Sequence, residues 1–422
     1  MKKKIAIVGT GIAGMAAAYF LRNTFDICFY ERNEYAGGHT NTITIKENNK
    51  NIYIDSGFMV FNHITYPNLT RFFRELDIKT MPTSMSFSVQ HRPSGLEYNG
   101  AGINALFAQR KNIFNIKFWK LLSEISKFNK HCLEVLGNEK YIHYSVSEYA
   151  NENGYSNEFL EKFLLPMSSA IWSTPLDVML KFPIYTLVQF FHNHGFLGLN
   201  AHFQWYTPVS GSRLYRDKVI SYFHEKVFLN NAVKKIIREN ESIFILDSKG
   251  NKNPFDFIIL ASHADESLEM LDTPSPLEKE LLNSFTYQKN ITKIHTDDSV
   301  MPKTKKAWAS WNYRIDRDEQ NNLKTTTIYY MNNLQNVSKM KNYFVSINDH
   351  GLVDPKYVLW ERVYTHPVYN VNSQKAQKSL HKLNENGRLF FCGSYFKYGF
   401  HEDAFNSGLN VARKILGEKI WN

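Results

Sequence analysis

The chain opens on three lysines, Lys2 to Lys4, followed by the apolar run Ile5-Ala6-Ile7-Val8 and then by Gly9-Thr10-Gly11-Ile12-Ala13-Gly14. A short, β-branched apolar run closed by glycines predicts a buried strand, and Met15 to Arg22 beyond it predicts a helix. The same window has the basic head and apolar body of a secretory signal peptide, but its glycines argue for strand, turn and helix. Alternation and apolar content predict further strands at Asp26 to Tyr30, Ser242 to Asp247, Phe255 to Ala261, Thr325 to Tyr330, Tyr357 to Tyr364 and Arg388 to Cys392. Leu69 to Leu76 and Asn157 to Leu165 read as helices. The longest unbroken apolar run, Met15 to Leu21, is far short of the ~20 residues a spanning helix needs.

Each glycine of the first turn has a physical task. Gly9 makes the tight turn, Gly11 lets main chain approach a pyrophosphate, and Gly14 lets helix and strand pack closely. Phosphates then sit at the positive end of the helix. The second strand ends at Glu31, whose carboxylate can accept hydrogen bonds from the ribose hydroxyls of an adenosine and disfavours a 2′-phosphate. The order strand, turn, helix, strand, acid predicts nucleotide binding.

Just beyond Glu31 stands a second glycine pair, in Gly37-Gly38-His39-Thr40-Asn41. Here the sequence resembles the flavin amine oxidase superfamily, which includes phytoene desaturases and protoporphyrinogen oxidase. The resemblance implies FAD and an α/β fold: a discontinuous Rossmann-like FAD-binding domain of the glutathione reductase type, with an inserted α+β substrate domain. Residues 1–62, 205–265 and 385–422 would form the first, and 63–204 and 266–384 the second. Ile54-Asp55-Ser56-Gly57-Phe58 looks like the strand and turn that pass beside the isoalloxazine. Val227 to Val233 resembles the segment whose valine main chain contacts adenine, here Val233. Near the end, Gly393-Ser394 and Gly399-Phe400-His401-Glu402-Asp403-Ala404 resemble the segment whose helix points at the flavin pyrimidine. By this resemblance the cofactor residues are Gly9, Gly11, Ile12, Ala13, Gly14, Glu31, Gly37, Gly38, His39, Thr40, Gly57, Phe58, Val233, Gly393, Ser394, Glu402, Asp403 and Ala404.

More narrowly, Ala170-Ile171-Trp172-Ser173, His192-Asn193-His194-Gly195, Gln204-Trp205, Gly211-Ser212-Arg213-Leu214-Tyr215 and His366-Pro367-Val368-Tyr369 resemble a bacterial subgroup. Its genes often neighbour cyclopropane-fatty-acyl synthase-like methyltransferases, and one member type is implicated in furan fatty acid biosynthesis. The resemblance implies an apolar acyl substrate and places His366 and Tyr369 near the flavin face; these two and His194 are the candidates for handling a proton. The chain departs from the family at Ser210, at Ser394, where many flavoproteins place an acid, and at His39, where arginine is usual.

Composition narrows the alternatives. With 422 residues, 43% hydrophobic, 21% charged and 15% aromatic, the chain belongs with large globular proteins of two or three compact units. A net charge of +10 favours acidic partners: nucleic acid, anionic lipid or a phosphorylated cofactor. Bases and rings alternate without any nucleic-acid module, so nucleic acid is not expected. Cys28, Cys132 and Cys392 are odd in number and widely spaced, which suggests neither a disulfide framework nor zinc and fits a reducing cytoplasm. His192 and His194 lack the companions a metal needs, and no nucleophile elbow appears.

Two segments are rich in rings. Phe182, Tyr185, Phe190, Phe191, Phe196, Phe203, Trp205 and Tyr206 suit either a core or the wall of a hydrocarbon cavity. Phe107 to Lys130 carries five rings and six bases against one acid, Glu124, as expected of a helix on the inner face of an anionic membrane or of an ordinary amphipathic helix. The leading expectation is an FAD-dependent desaturase of a fatty acyl or similar apolar substrate. A flavin amine oxidase and a non-catalytic lipid-binding protein on the same scaffold are the alternatives. With no second nucleotide motif, oxygen or a redox partner is the expected electron acceptor.

Overall fold

The structure is a computed structural model, and it describes residues 1–197, 203–239, 242–385, 387–417, 420 and 421. A parallel five-stranded sheet lies at its centre. Its strands are β1 (Lys4–Val8), β2 (Asp26–Tyr30), β3 (Val227–Phe228), β4 (Phe257–Leu260) and β5 (Leu389–Phe391), ordered β3-β2-β1-β4-β5. Ile5 to Val8 are buried on both faces, as a strand covered by helices on each side requires. Strands far apart in sequence meet here: β1 pairs with β4 from Ile5 opposite Phe257 to Val8 opposite Leu260, and β4 pairs with β5.

Helix α1 (Ile12–Leu21) crosses this sheet, and the long C-terminal helix α5 (His401–Leu416) packs against it. A Cβ on Gly408 would overlap the Ala13 carbonyl oxygen, so glycine there sets how closely the two helices approach. Helix α2 (Pro67–Glu75) packs on α5 as well, with Leu69, Phe72 and Phe73 in one apolar cluster with Tyr19, Phe405 and Leu409. Beyond residue 62, Tyr66, Leu69, Phe72, Phe73 and Leu76 thus bury their side chains in one cluster with residues of β1 and α1.

A second, seven-stranded sheet holds Thr286–His295, Trp311–Arg317, Leu323–Tyr330, Phe344–Ile347 and Val358–Val368, extended by Phe87–His91 and Leu96–Asn99. Helices from residues 103 to 193 cover one side, among them α3 (Ile116–His131) and α4 (Ile184–Asn193). The helix expected at Asn157 to Leu165 is longer, running from Asn157 through a wide π-type turn at Leu160–Leu164 to Trp172. Pro166 lies inside this continuous run and has no N–H to donate; the Lys162 carbonyl four residues back accepts instead from the Tyr98 hydroxyl at 2.7 Å.

Candidate active site

A cavity of about 740 Å³ opens at the carboxyl ends of β1, β2 and β4 and reaches to the seven-stranded sheet. That lies toward the large end of the range for small-molecule sites. Ligands of open α/β sheets bind beyond the strand ends where the strand order reverses, which here is β1, flanked by β2 and β4.

Bare main chain builds the first end. The Gly9 N–H donates to the Tyr30 carbonyl at 2.9 Å, and the Ala261 N–H to the Val8 carbonyl at 2.8 Å, which fixes the turn between neighbouring strands. Gly9 has φ +99°, and a Cβ there would lie 2.7 Å from the Ala261 oxygen. Gly11 differs: nothing lies within 4 Å of a Cβ built on it, so any side chain would stand in the cavity. It also caps α1 with no side chain accepting from the first-turn N–H groups, which leaves those donors for an anion. Across the cleft, Gly38 brings its own main chain near Gly11 at φ +58°. Gly14 does not line the cavity; a Cβ there would overlap the Gly9 oxygen, so its task is packing.

Glu31 is buried at the cavity wall. Its Oε2 accepts from the Thr10 N–H at 3.2 Å and the Thr10 hydroxyl at 2.6 Å; its Oε1 accepts from the Asn33 N–H at 2.9 Å and Nδ2 at 2.7 Å. Thr10 in turn accepts from the Gly37 N–H at 2.9 Å. One carboxylate thus ties the first turn, the end of β2 and the second glycine pair together. The sequence pointed to Glu31 only as a ribose ligand and gave no signal for this second task.

The far end is made of rings. Trp172, Phe190, Phe196, Trp205, Tyr398 and Phe400 line it from the helical side, and Trp311, Tyr329 and Ile347 from the seven-stranded sheet. Phe190 stacks on Phe400 with centroids 4.7 Å apart. Every charged residue on the wall, Glu31, Arg32, Lys234, Glu266 and Glu269, belongs instead to the sheet-edge end, where Arg32 and Glu266 pair at 2.7 Å.

Between the two ends stand His39, Ser56, Gly57, Phe58, Tyr364, His366, Tyr369, Gly393, Ser394, His401 and Ala404, all on the wall. Burial pushes the imidazoles down, His39 to about 4 and His366 to about 3, with His401 also well below its usual value. All three are neutral at pH 7. His366 Nδ1 lies 2.6 Å from Asn290 Nδ2, while Asn290 Oδ1 accepts from Gln288 at 2.9 Å and Asn348 at 2.7 Å. That network makes Nδ1 an acceptor and leaves the proton on Nε2, so His366 presents a donor to the cavity and is a poor base. His401 stacks on Phe58 at 3.8 Å and bonds Tyr215 at 2.5 Å. The buried Nε2 of His39 and hydroxyl of Tyr369 have no hydrogen-bond partner among the described residues.

Besides Gly14, four expected site residues take other places. His194 is absent from the wall: it stacks behind Phe190 at 3.8 Å, donates from Nδ1 to the Phe190 carbonyl at 3.0 Å, and is pushed down to about 4 by burial. Thr40 also misses the wall and bonds Tyr215 at 2.5 Å. Glu402 points the other way, accepting from the Asn68 and Leu69 N–H groups at 3.0 and 2.9 Å to cap α2. Asp403 accepts from the Tyr398 and Phe400 N–H groups at 3.2 and 3.1 Å, capping its own helix. Glu402 thus satisfies first-turn donors of α2, whereas Asp403 reaches back to N–H groups that precede its own helix, and neither carboxylate lines the cavity. Of the final motif, Gly399, Phe400, His401 and Ala404 line the cavity; within the helix itself one face carries only every third or fourth residue.

The Asp55 carboxylate accepts from Ser212 N–H at 3.0 Å, Ser212 Oγ at 2.7 Å and Gln335 Nε2 at 2.6 Å, and also from Thr42. It therefore fixes the turn at Gly57 and Phe58 to the Gly211 turn, a role no local pattern announces. Among the described residues no group of three or more His, Cys, Asp or Glu is arranged to hold a metal ion.

A glycine turn with uncapped helix donors, an acid at the next strand end and a long cleft with an uncharged far end define the class: a flavin-dependent oxidoreductase of the Rossmann type. The chain belongs to the flavin-containing amine oxidoreductase family, whose sequence profile matches residues 12–299. No curated protein sequence matches it. Solved structures of the same fold include wild-type putrescine oxidase bound to putrescine, at TM-score 0.68 and 12% identity over 99% of this chain and 100% of that one. Cyclohexylamine oxidase from Brevibacterium oxydans IH-35A gives 0.69 and 13% over 99% of both chains. A CLA-producing fatty acid isomerase from P. acnes gives 0.67 and 12% over 98% of both. At such identities the likeness is one of fold. The chain is an FAD-dependent enzyme, and the open space at Gly11, the uncapped donors of α1 and the unpartnered Nε2 of His39 fit that cofactor.

Proposed function

We propose that this enzyme oxidises a fatty acyl chain or a similar apolar substrate, as a desaturase. The observation that carries the reading is the charge distribution: among the described residues, the ring-lined end of the cavity holds no Asp, Glu, Lys or Arg. An ammonium substrate left there would lack a counter-ion, and its desolvation would cost several kcal/mol. A hydrocarbon loses nothing by entering.

Bound FAD would supply a two-electron acceptor for the hydride of one C–H bond, and formation of the double bond would release one proton from the adjacent carbon. The protein's own share is placement and exclusion of water. Trp172, Phe190, Trp205 and Phe400 confine the chain from one side, and Trp311 and Tyr329 from the other. The Nε2–H of His366 and the Tyr369 hydroxyl offer hydrogen bonds between the two ends of the cavity. Burial holds the Tyr369 hydroxyl well above its ordinary value and His366 far below, so both stay neutral and neither places a charge beside the substrate.

The likeness to amine oxidases supports a second reading, in which the substrate is an amine. Lipid profiling of cells with and without the gene tests the first: altered acyl unsaturation supports it, and unchanged acyl chains defeat it. Turnover of amines with release of hydrogen peroxide would favour the second. A purified protein that stays colourless after incubation with FAD would leave only a lipid-binding role.

A further inference from the structure

Five large apolar side chains stand in solvent close together in sequence: Ile103, Ile113, Phe114, Ile116 and Trp119. Phe114 is 88% exposed and Ile116 83%. They gather around the 3₁₀ turn Arg110–Phe114 and the first turn of α3. The rings that the sequence offered for membrane contact divide into two sets. Phe107, Phe118 and Phe128 are buried with Tyr98 and Tyr149, and only Phe114 and Trp119 point outward.

The outward face of α3 has a composition unusual for a solvated helix. At 3.6 residues per turn, Ile116, Trp119, Lys120, Ser123, Lys127 and Lys130 share one side, opposite the buried Phe118, Leu121 and Phe128. Its first turn is apolar, the rest is lysine and serine, and no acid lies on it. Lys111 and Lys117 flank the apolar turn and are exposed. Glu124, the acid within the segment, is turned aside, accepting from the Ser156 N–H at 3.1 Å and the Ser156 hydroxyl at 2.5 Å. The patch is also held ready: Trp119 Nε1 donates to the Ile113 carbonyl at 2.8 Å, and Arg110 donates to the Phe107 carbonyl at 2.9 Å.

We propose that this patch docks the enzyme on an anionic phospholipid bilayer, with Ile113, Phe114, Ile116 and Trp119 entering the acyl boundary and Lys111, Lys117 and Lys120 lying among the headgroups. Apolar area supplies the anchorage and the bases supply the choice of anionic lipid. No described helix is long and apolar enough to cross a membrane, so contact is at the surface. The proposal adds a source of substrate to the acyl reading, and vesicle binding is measured without turnover, so either can fail alone.

The test is co-sedimentation of the FAD-loaded full chain with vesicles of phosphatidylglycerol and phosphatidylcholine, and with pure phosphatidylcholine. Binding to the mixed vesicles is expected at about 0.15 M salt and should fall tenfold or more near 1 M salt. The Phe114→Ser/Ile116→Ser double variant should no longer sediment with vesicles, while keeping its flavin and circular dichroism. Lys117→Glu/Lys120→Glu should weaken binding about tenfold or more. Equal binding to both vesicle types, or unchanged binding by the variants, overturns the proposal. So does a dimer, seen by ultracentrifugation, that the Phe114→Ser/Ile116→Ser variant splits, because a second copy would then cover the patch.

Discussion

The two ends of the cavity are made by different means. At the carboxyl edge of the five-stranded sheet the wall is glycine main chain, helix N–H groups and a buried carboxylate that also braces the turns. At the seven-stranded sheet it is side chains, rings together with aliphatic residues such as Met85, Ile171 and Ile347, from elements far apart in sequence. A wall of main chain fits one ligand shape and tolerates almost no substitution. A wall of side chains can be reshaped without disturbing the backbone, so a shared cofactor site and a particular substrate site can coexist on one fold.

The sharpest break of this contrast uses two glycines three residues apart. Gly14→Val puts its side chain into the Gly9 carbonyl, and the chain should fail to fold or lose more than ~3 kcal/mol in chemical denaturation. Gly11→Val points into open cavity; its folded stability should be nearly unchanged while the purified protein comes off the column without flavin absorbance. A Gly11→Val protein that stays yellow would show that the main-chain wall does not carry the cofactor.

At the other end the same logic inverts. Met85→Glu or Ile171→Asp places a charge on the apolar wall. Turnover of an apolar substrate should fall roughly a hundredfold, from the ~3 kcal/mol or more that an unpaired buried charge costs. Flavin content should remain at the wild-type level. Loss of flavin along with activity would mean that the two ends are not separable.

Glu31→Ala bears on both the cofactor and the fold. A ribose would lose a charged acceptor worth ~1.5 to 3 kcal/mol, so FAD should dissociate about ten to a hundred times more readily in equilibrium dialysis. The Thr10 and Asn33 donors lose their partner too, and thermal unfolding should come several degrees earlier even in the flavin-free protein. Glu31→Gln should recover part of that stability.

Near neutral pH the smallest effect per residue is the titration of the buried histidines. His39, His194, His263 and His295 are pushed down to about 4 and His366 to about 3, in each case by burial. In the unfolded chain each takes up a proton near pH 6.5. The stability from keeping them neutral is therefore whole above about pH 6.5 and is lost as pH falls toward 4, at about 1.4 kcal/mol per pH unit for each histidine. Asp403, raised to about 6 by burial, works in the opposite sense over part of that window. Urea midpoints should be flat from pH 8 to 7 and decline steeply below 6.5, and His295→Gln should make the decline shallower.

Much of the first end was legible in the residues because it is built locally. Gly9, Gly11 and Gly14 announce a strand-to-helix turn through the freedom of a residue without Cβ, and Glu31 follows at the end of the next strand. The helix opening near Gly399 was readable in the same way. Which of its residues face inward was not: Glu402 and Asp403 lie next to Ala404 in sequence and on other sides of the helix in space. His194 sits in a ring-rich segment, yet its ring is stacked behind Phe190, which takes the wall position instead.

By itself the sequence determined the nucleotide-binding turn, the cofactor class and an apolar character for the middle of the chain, because each rests on neighbours within a few residues or on the sum of many. Only the tertiary structure decided that the charged wall residues stay at the sheet edge and that His366 is a donor fixed by Asn290. It also decided that three rings of the basic segment serve the core while Phe114 and Trp119 face outward. Those outcomes depend on burial and on partners tens to hundreds of residues away, such as Asn290 for His366 and Asn68 for Glu402, and spacing along a chain carries no record of them.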